Sequence, residues 1–203
     1  LDKRGRIVQE NDKEIGSLGV VKGKNGVISG THGNQIKYYT ESGKLEKLEW
    51  LGKKMEEREM GLPLIDKQGR LWIGGSGGLW VKESANGEWR EVWDNEDNLE
   101  MRWLSEESEG IVFANNEGLW RLDPEQETVS AFSKALDGMD LIHLYRASTD
   151  SFWISTAAEG IAFWDRARDT LAFVEEPVGL KNNRVYAIYP DEKGCLWMPT
   201  DKG

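Results

Sequence analysis

Cysteine is almost absent from this chain of 203 residues, which contains only Cys195. One cysteine excludes an internal disulfide, and two His without Cys or acidic partners at ligand spacing do not make a zinc site. Because Cys195 stands directly before Leu196-Trp197, we expect it at a packed strand position and not as a reactive thiol. The sequence thus predicts no metal ligands and no cofactor.

Long apolar runs are absent as well, and none approaches the length that a bilayer span requires. The chain has 26 basic and 36 acidic residues, which give it a net charge of −10 at pH 7. No stripe of Lys and Arg interrupts this acidic surface, so it repels a phosphate backbone. We therefore expect that this segment contacts neither a membrane nor nucleic acid.

Catalytic motifs are missing too, since there is no Gly-x-Ser-x-Gly, no phosphate loop and no dinucleotide fingerprint. Asp94 to Asn98 resembles the start of a calcium loop. However, Leu99 stands where such a loop needs Gly, and Ser105 stands at the position of the twelfth-residue Glu. We expect an acidic connection between repeats there, and no catalytic residue is predicted.

What the chain does contain is Trp, ten of them, and a pattern that occurs five times. The pattern is a turn, an apolar strand that ends in small residues, and a second strand that begins with Gly. The central residues of the copies are Ile28, Trp72, Val112, Trp153 and Trp197, which are 44, 40, 41 and 44 positions apart. A repeat of about forty residues that is rich in β-prone segments is typical of propeller blades of four strands. We predict an all-β fold, a β-propeller of four-stranded antiparallel blades, as a single domain over residues 1–203.

The second repeat shows the predicted blade strand by strand. Its strands, from the innermost outwards, are Leu62–Ile65, Arg70–Gly74, Leu79–Lys82 and Glu88–Trp93. The first two are joined by a tight turn over 66–69 with a left-handed Gly, and the last two by a hairpin at Asn86-Gly87.

Trp72, Trp153 and Trp197 share one repeat position, so we expect all three to pack in the core. Lys53 to Met60 is helix-prone but has no apolar face, so we expect a connection between blades.

The two ends of the chain together predict a closure of the blades. Leu1 to Val8 aligns with the outer strands that follow Leu122-Asp123 and Trp164-Asp165. It would complete the blade whose inner part is Val185 to Thr200 and so remove an exposed sheet edge. Two arrangements remain open: a closed five-bladed ring, or five repeats of a larger ring of about seven blades.

The last repeat resembles a known family. Residues 179–197 read Gly-Leu, a polar segment, Val-Tyr-Ala-Ile-Tyr-Pro, then Asp-Glu-Lys-Gly-Cys-Leu-Trp, and Ile65 to Gly75 repeats the second half. This is similar to the two-component regulator propeller repeat. The departures are Ile28 and Val112 in place of Trp, and Asp150 in place of the turn Gly.

The resemblance implies a periplasmic or extracytoplasmic sensor region of a bacterial membrane receptor, with a histidine kinase or diguanylate cyclase as output. It implies no catalytic residues in this segment. The expected partners are a saccharide or another small extracellular ligand, and a second receptor chain in a homodimer. Two other functions stay open, a protein-interaction scaffold and a propeller enzyme such as a lyase or glycosidase.

Candidate ligand residues lie on the predicted innermost strands. These strands line the central channel of a propeller, and the loops before them form a ring face that suits ligand binding. The polar and aromatic side chains that break the repeat there are Arg102, Trp103, His143, Arg146, Arg184 and Tyr186. We expect them to contact the ligand.

Overall fold

The computed structural model describes residues 17–23, 26–31, 35–50, 60–75, 78–94, 99–174 and 184–200, whose regular structure is entirely β-strand. The first two sheets contain β1 (Ser17–Gly23), β2 (Gly26–Thr31), β3 (Gln35–Thr40), β4 (Leu45–Trp50), β5 (Met60–Ile65), β6 (Leu71–Gly75), β7 (Gly78–Lys82) and β8 (Trp89–Asp94). The next two contain β9 (Trp103–Glu107), β10 (Gly110–Asn115), β11 (Gly118–Asp123), β12 (Thr128–Ala131), β13 (Leu141–Ser148), β14 (Ser151–Thr156), β15 (Ile161–Asp165) and β16 (Thr170–Phe173). A two-stranded sheet follows, of β17 (Tyr189–Pro190) and β18 (Leu196–Trp197).

Each four-stranded sheet is a meander in which consecutive strands are neighbours. The predicted all-β propeller of four-stranded blades is therefore confirmed, with four complete blades and the first two strands of a fifth repeat among the described residues. In the second blade the observed strands begin and end within two residues of the predicted ones. Among the described residues, no helix has the length and apolarity that crossing a bilayer requires.

The chain divides into two compact units, Leu1–Glu106 and Glu107–Gly203. A repeat contacts only itself and its neighbouring repeats, so a single domain built of repeats can also divide between two of them. The single domain over residues 1–203 stays a prediction. In the first unit Ile36, Ile73 and Trp80 form a buried cluster, and in the second Ile161, Val185 and Ile188 do so.

A positive φ explains why the third strands of the second and third blades begin with Gly. Gly78 and Gly118 start β7 and β11 with φ of 131° and 135°. L-residues with a side chain rarely adopt this backbone. At Gly118 a Cβ would also lie only 2.8 Å from the carbonyl oxygen of Leu136. The repeated Gly is therefore required by backbone conformation as well as by space.

The departure at Asp150 coincides with a different turn. In the second blade β5 and β6 are separated by five residues, among them Gly69 with φ of 82°. In the fourth blade Ser148 and Ser151 are paired, so only Thr149-Asp150 connects the strands. Asp150 therefore does not stand in for a left-handed Gly.

Two expectations about the last repeat are wrong. Cys195 is exposed and not packed. Trp197 is 65% exposed, whereas Trp72 at the same repeat position is 1% exposed and Trp153 is half-buried. Trp197 belongs to β18 and Cys195 directly precedes that strand, which pairs with β17 and has no second neighbour among the described residues.

Three expectations fall on segments outside the described residues. They are the outer strand over Leu1 to Val8, the connection over residues 53–59 and the acidic connection over residues 95–98. Met60, the last residue of the expected connection, is the first residue of β5. Closure of the ring stays a prediction.

Candidate ligand-binding sites

Arg102 and Trp103 lie at the start of the third blade's innermost strand, in the first unit. Trp103 is the first residue of β9 and is half-buried. Arg102 was predicted to lie on this innermost strand, but it precedes β9. Its Nε and Nη2 donate to Oε2 of Glu100 at 3.1 and 2.6 Å. The guanidinium is thus already paired with a carboxylate of the same connection.

His143 lies on β13, the innermost strand of the fourth blade, and is half-buried. Its Nδ1 accepts the backbone N–H of Ile188 at 3.3 Å, which leaves the proton of a neutral ring on Nε2. Burial lowers the pKa of His143, which favours this neutral form. The centroid of its ring lies 5.8 Å from that of Tyr189. His143 is therefore a neutral hydrogen-bond donor beside an aromatic ring.

Arg146 follows on the same strand, but its charge is used inside the protein. It forms an ion pair with Glu107, whose side chain is almost completely buried. Arg166 approaches the same carboxylate, with Nη1 at 3.6 Å from Oε2. The Arg146 guanidinium also covers the ring of Phe152 at 5.1 Å. Because a buried carboxylate without its cation is costly, this contact stabilises the fold whether or not Arg146 also meets a ligand.

The segment 184–189 places Arg184 and Tyr186 on the surface. Val185 and Ile188 are buried and pack with Ile161, whereas Tyr186 is 44% exposed. The backbone N–H of Tyr186 donates to the carbonyl of Pro199 at 3.0 Å, which fixes the segment. The guanidinium of Arg184 lies over the Tyr186 ring at 5.4 Å.

The structure therefore forms two pairs, Arg184 with Tyr186 and His143 with Tyr189. Segment 184–189 supplies both members of the first pair and Tyr189 of the second. Arg146 lies on the strand of His143 but turns to Glu107. Ligand contact by Arg102, Trp103, His143, Arg146, Arg184 and Tyr186 stays a prediction. Tyr189, 58% exposed, is the member of this surface that the sequence did not single out.

A second cluster, in the first unit, was not predicted at all. It is centred on Glu49 of β4, whose Oε2 accepts the hydroxyl of Tyr38 at 2.6 Å and the indole N–H of Trp89 at 3.2 Å. Its Oε1 accepts Nζ of Lys82 at 2.6 Å and also contacts Lys47. Residues of the first and second blades therefore share one carboxylate.

Contacts within this cluster shift the pKa values of Glu49 and Tyr38 in opposite directions. Burial acts to raise the pKa of Glu49, but hydrogen bonds from Lys47, Lys82 and Tyr38 outweigh it and lower the pKa to about 2. Burial, and then the hydrogen bond to Glu49, raise the pKa of Tyr38 above its usual range. At neutral pH the centre is a carboxylate that receives donors from all four neighbours.

Lys82 carries the signal that could have revealed this cluster. It ends the third strand of its blade, and the equivalent residues of the next two blades are Leu122 and Trp164, both buried. Lys82 is buried as well, with 4% of its side chain exposed. A lysine at a core position of a repeat needs a carboxylate partner or a function.

A cleft of about 470 Å³ opens beside the cluster. It is lined by Lys47, Leu48, Glu49, Lys82, Asn86, Gly87, Glu88 and Trp89. This volume falls in the range of small-molecule sites. Within the part of the chain that the structure describes, no three His, Cys, Asp or Glu side chains are grouped as a metal site would require.

Comparisons with known proteins agree with the resemblance. Residues 179–198 match the family model of the two component regulator propeller. No curated protein matches the chain. The fold is similar to the extracellular domain of the proposed one component system BT4673 from B. thetaiotaomicron, with a TM-score of 0.73 and 15% identity. That match covers 96% of this chain and 28% of the other.

Two further solved structures share the fold. One is the extracellular domain of the proposed hybrid two component system BT3049 from B. thetaiotaomicron, with a TM-score of 0.69 and 20% identity over 97% of this chain and 29% of that one. The other is a streptogramin B lyase, with a TM-score of 0.71 and 16% identity over 93% of this chain and 63% of that one. The chain spans less than a third of each B. thetaiotaomicron domain. The resemblance seen in the sequence is confirmed: this β-propeller chain carries a two-component regulator propeller repeat at residues 179–198.

Proposed function

We propose that this chain is a ligand-sensing extracytoplasmic module of a bacterial receptor of the two-component type. The observation that carries the proposal is the match of residues 179–198 to the two-component regulator propeller. The similarity to extracellular domains of one component and hybrid two component systems supports the same role and a periplasmic location. The proposed segment binds a ligand and leaves catalysis to an output domain.

The surface on segment 184–189 is the proposed contact region for that ligand. Tyr186 and Tyr189 present exposed rings, and His143 adds a neutral donor beside Tyr189. Exposed aromatic rings next to fixed hydrogen-bond donors suit a small extracellular ligand such as a saccharide fragment. In the parent receptor a second chain would form a homodimer and carry the signal across the membrane.

The receptor role is tested by determining the gene sequence on both sides of the region that encodes residues 1–203. We expect a membrane span and, beyond it, kinase or diguanylate cyclase motifs. A gene that encodes neither a span nor an output domain would refute the receptor role. It would favour a protein-interaction scaffold, which a pull-down that recovers only protein partners would support.

The contact region is tested by thermal unfolding of the purified chain in a screen of saccharide fragments. A ligand that binds only the folded state raises the unfolding midpoint in proportion to the logarithm of its concentration. We expect Tyr186→Ala to weaken the binding of such a ligand by about tenfold or more, because stacking is lost. Phe173→Ala is the matched control, since Phe173 is exposed to the same extent, 46% against 44%.

Equal affinities for Tyr186→Ala and the unchanged chain would remove segment 184–189 from the proposal. Turnover of a saccharide that stops in His143→Ala, with the fold preserved, would instead indicate a propeller enzyme. The two results are distinguishable, because turnover consumes the ligand and binding does not.

A further inference from the structure

The cleft beside Glu49 contains a buried cation whose hydrogen-bonding capacity is only partly used. A lysine ammonium has three N–H donors. Among the described residues, Glu49 is the only hydrogen-bond acceptor of Lys82, through Oε1 at 2.6 Å. The Lys82 ammonium also lies 5.8 Å from the centroid of the Trp89 ring, a contact that uses its charge but not its remaining donors. Two donors of a side chain that is 4% exposed therefore remain for an acceptor in the cleft.

The charges around those donors lie at two depths in the cleft. Lys82 and Glu49 form the inner pair, with 4% and 14% of their side chains exposed, and Glu49 keeps its charge because its pKa is about 2. Lys47 also contacts the Glu49 carboxylate but is 48% exposed, and Glu88 is exposed as well, so solvent and salt screen both of these charges. The inner wall is therefore close to neutral, and what it lacks is an acceptor for the remaining Lys82 donors.

The remaining wall of the cleft is partly apolar. Trp89 is half-buried and its indole N–H is held by Glu49, so the ring has a fixed orientation. Leu48 lines the same cleft and is 40% exposed. An apolar group that covers both side chains would remove their surface from water, which is favourable.

We propose that this cleft is a binding site for a small monocarboxylate with an apolar or aromatic body. The ligand carboxylate accepts hydrogen bonds from Lys82 in the inner wall and from Lys47 at the rim. Its body packs against Trp89 and Leu48. A carboxylate forms an ion pair with the ammonium groups in addition to hydrogen bonds, which favours it over an uncharged oxygen ligand. This site uses other residues than segment 184–189, so the inference goes beyond the proposed function and does not depend on it.

The proposal is tested by isothermal titration of the full chain with benzoate and with benzamide, which has the same shape and no charge. We expect benzoate to bind and benzamide to bind at least about tenfold more weakly, since the uncharged amide oxygen forms no ion pair with the ammonium groups. Hexanoate and acetate extend the test to the apolar body. Hexanoate should bind more tightly than acetate, because each buried methylene adds hydrophobic free energy.

Variants at the rim test the assignment without disturbing the core. Lys47→Ala should weaken benzoate binding several-fold, and Glu88→Gln should strengthen it, because the variant removes a like charge. Lys44→Ala is the matched control, since it removes the same charge from an exposed turn residue that does not line the cleft. Lys82→Met should abolish binding, and the exposed variants keep the test decisive if Lys82→Met fails to fold.

Three results would overturn the proposal. One is benzamide binding as tightly as benzoate, which would indicate an uncharged oxygen-rich ligand such as a polyol. Another is benzoate binding that Lys47→Ala and Lys44→Ala reduce equally, which would indicate only general electrostatic attraction. The third is the absence of binding by benzoate and hexanoate at millimolar concentration.

Discussion

The second and fifth repeats contain the same hydrogen-bonded turn in opposite environments. In the second repeat Oδ1 of Asp66 accepts the backbone N–H of Gln68 and of Arg70 at 3.0 and 2.8 Å, and Oδ2 accepts the indole N–H of Trp72 at 2.8 Å. In the fifth repeat the three corresponding bonds to Asp191 measure 2.9, 2.8 and 3.2 Å. Trp72 is nevertheless 1% exposed and Trp197 is 65% exposed.

The difference lies in the neighbouring strands and not in the turn. Trp72 is on β6, which is hydrogen-bonded to both β5 and β7 and packs within a complete blade. Trp197 is on β18, and within the described residues β18 pairs with β17 alone. The turn forms from bonds between residues at most six positions apart, so it is local. Burial of the Trp requires a neighbouring strand on each side of its own, and the turn motif alone cannot ensure it.

The largest difference between the two repeats should appear on truncation of the Trp. Trp72→Ala should lower the free energy of unfolding by about 3–5 kcal/mol, because it removes a large side chain from a packed core. Trp197→Ala should lower it by less than about 1 kcal/mol, as at other exposed positions. Urea denaturation of both variants measures the difference. Midpoints that fall equally would show that Trp197 is covered in solution and that the two environments are alike.

Removal of the turn carboxylate should have the next largest effect. Asp66→Ala leaves the indole N–H of Trp72 and two backbone N–H groups without their acceptor in a buried site. A buried donor that loses its partner costs about 1–3 kcal/mol. In Asp191→Ala, water can replace the lost acceptor, so the loss should be clearly smaller. The same urea series measures both variants, and a larger loss for Asp191→Ala would contradict the comparison.

Acid should act on the second repeat through Asp66. Burial acts to raise the pKa of this carboxyl, but hydrogen bonds from Trp72 and Arg70 outweigh it and hold the pKa below the ordinary 3.8. A group whose pKa is lower in the folded state stabilises the protein above its unfolded pKa, and that contribution is lost as the pH falls through the folded pKa. Asp66→Asn should therefore flatten the fall of stability below pH 3.8. Urea midpoints measured above and below that pH test this, with Glu192→Gln as the control for loss of an exposed turn carboxylate, and an unchanged slope in Asp66→Asn would refute it.

The sequence was sufficient to predict the blade and its strands because each of them is a local pattern. Strands of five or six residues between Gly and Asp turns are visible without knowledge of tertiary contacts, and the Trp of β6 is buried as its repeat position indicates. The pattern failed at Trp197 and Cys195, whose exposure depends on strands outside the motif. Repeat identity therefore predicted secondary structure better than it predicted burial.

The cluster around Glu49 could not be predicted from the sequence for a related reason. Glu49 is 33 positions from Lys82 and 40 from Trp89, and packing of two blades brings the three side chains together. Glu49 is one of 36 acidic residues in the chain, so its presence in the sequence does not mark it as a site residue. Lys82 does give one, because it occupies a repeat position that is buried and apolar in the next two blades. A charge at a repeat position that is buried in sister blades is thus a signal that the sequence does carry.

The smallest effect should come from adding to the fifth repeat the arginine that contacts the turn carboxylate in the second. Arg70 donates Nε to Oδ2 of Asp66 at 2.6 Å and covers the Trp72 ring at 5.0 Å, whereas Cys195 stands at the corresponding position of the fifth repeat. Hydrogen bonds from Cys195 and Trp197 already lower the pKa of Asp191, and Cys195→Arg should lower it further by adding a charged donor. The unfolding midpoint should rise only slightly, because solvent screens an exposed ion pair.

Titration of the side-chain carboxyl of Asp191 by NMR measures this change, and Glu192→Gln is its control. That variant makes the same change in net charge on the same turn but supplies no donor at the position of Arg70. A fall in the Asp191 pKa that is larger in Cys195→Arg than in Glu192→Gln would show that the fifth repeat can form the complete contact of the second. Equal decreases of the Asp191 pKa in the two variants would show that only the change in net charge affects this pKa. The two turns would then differ in their own geometry as well as in their surroundings.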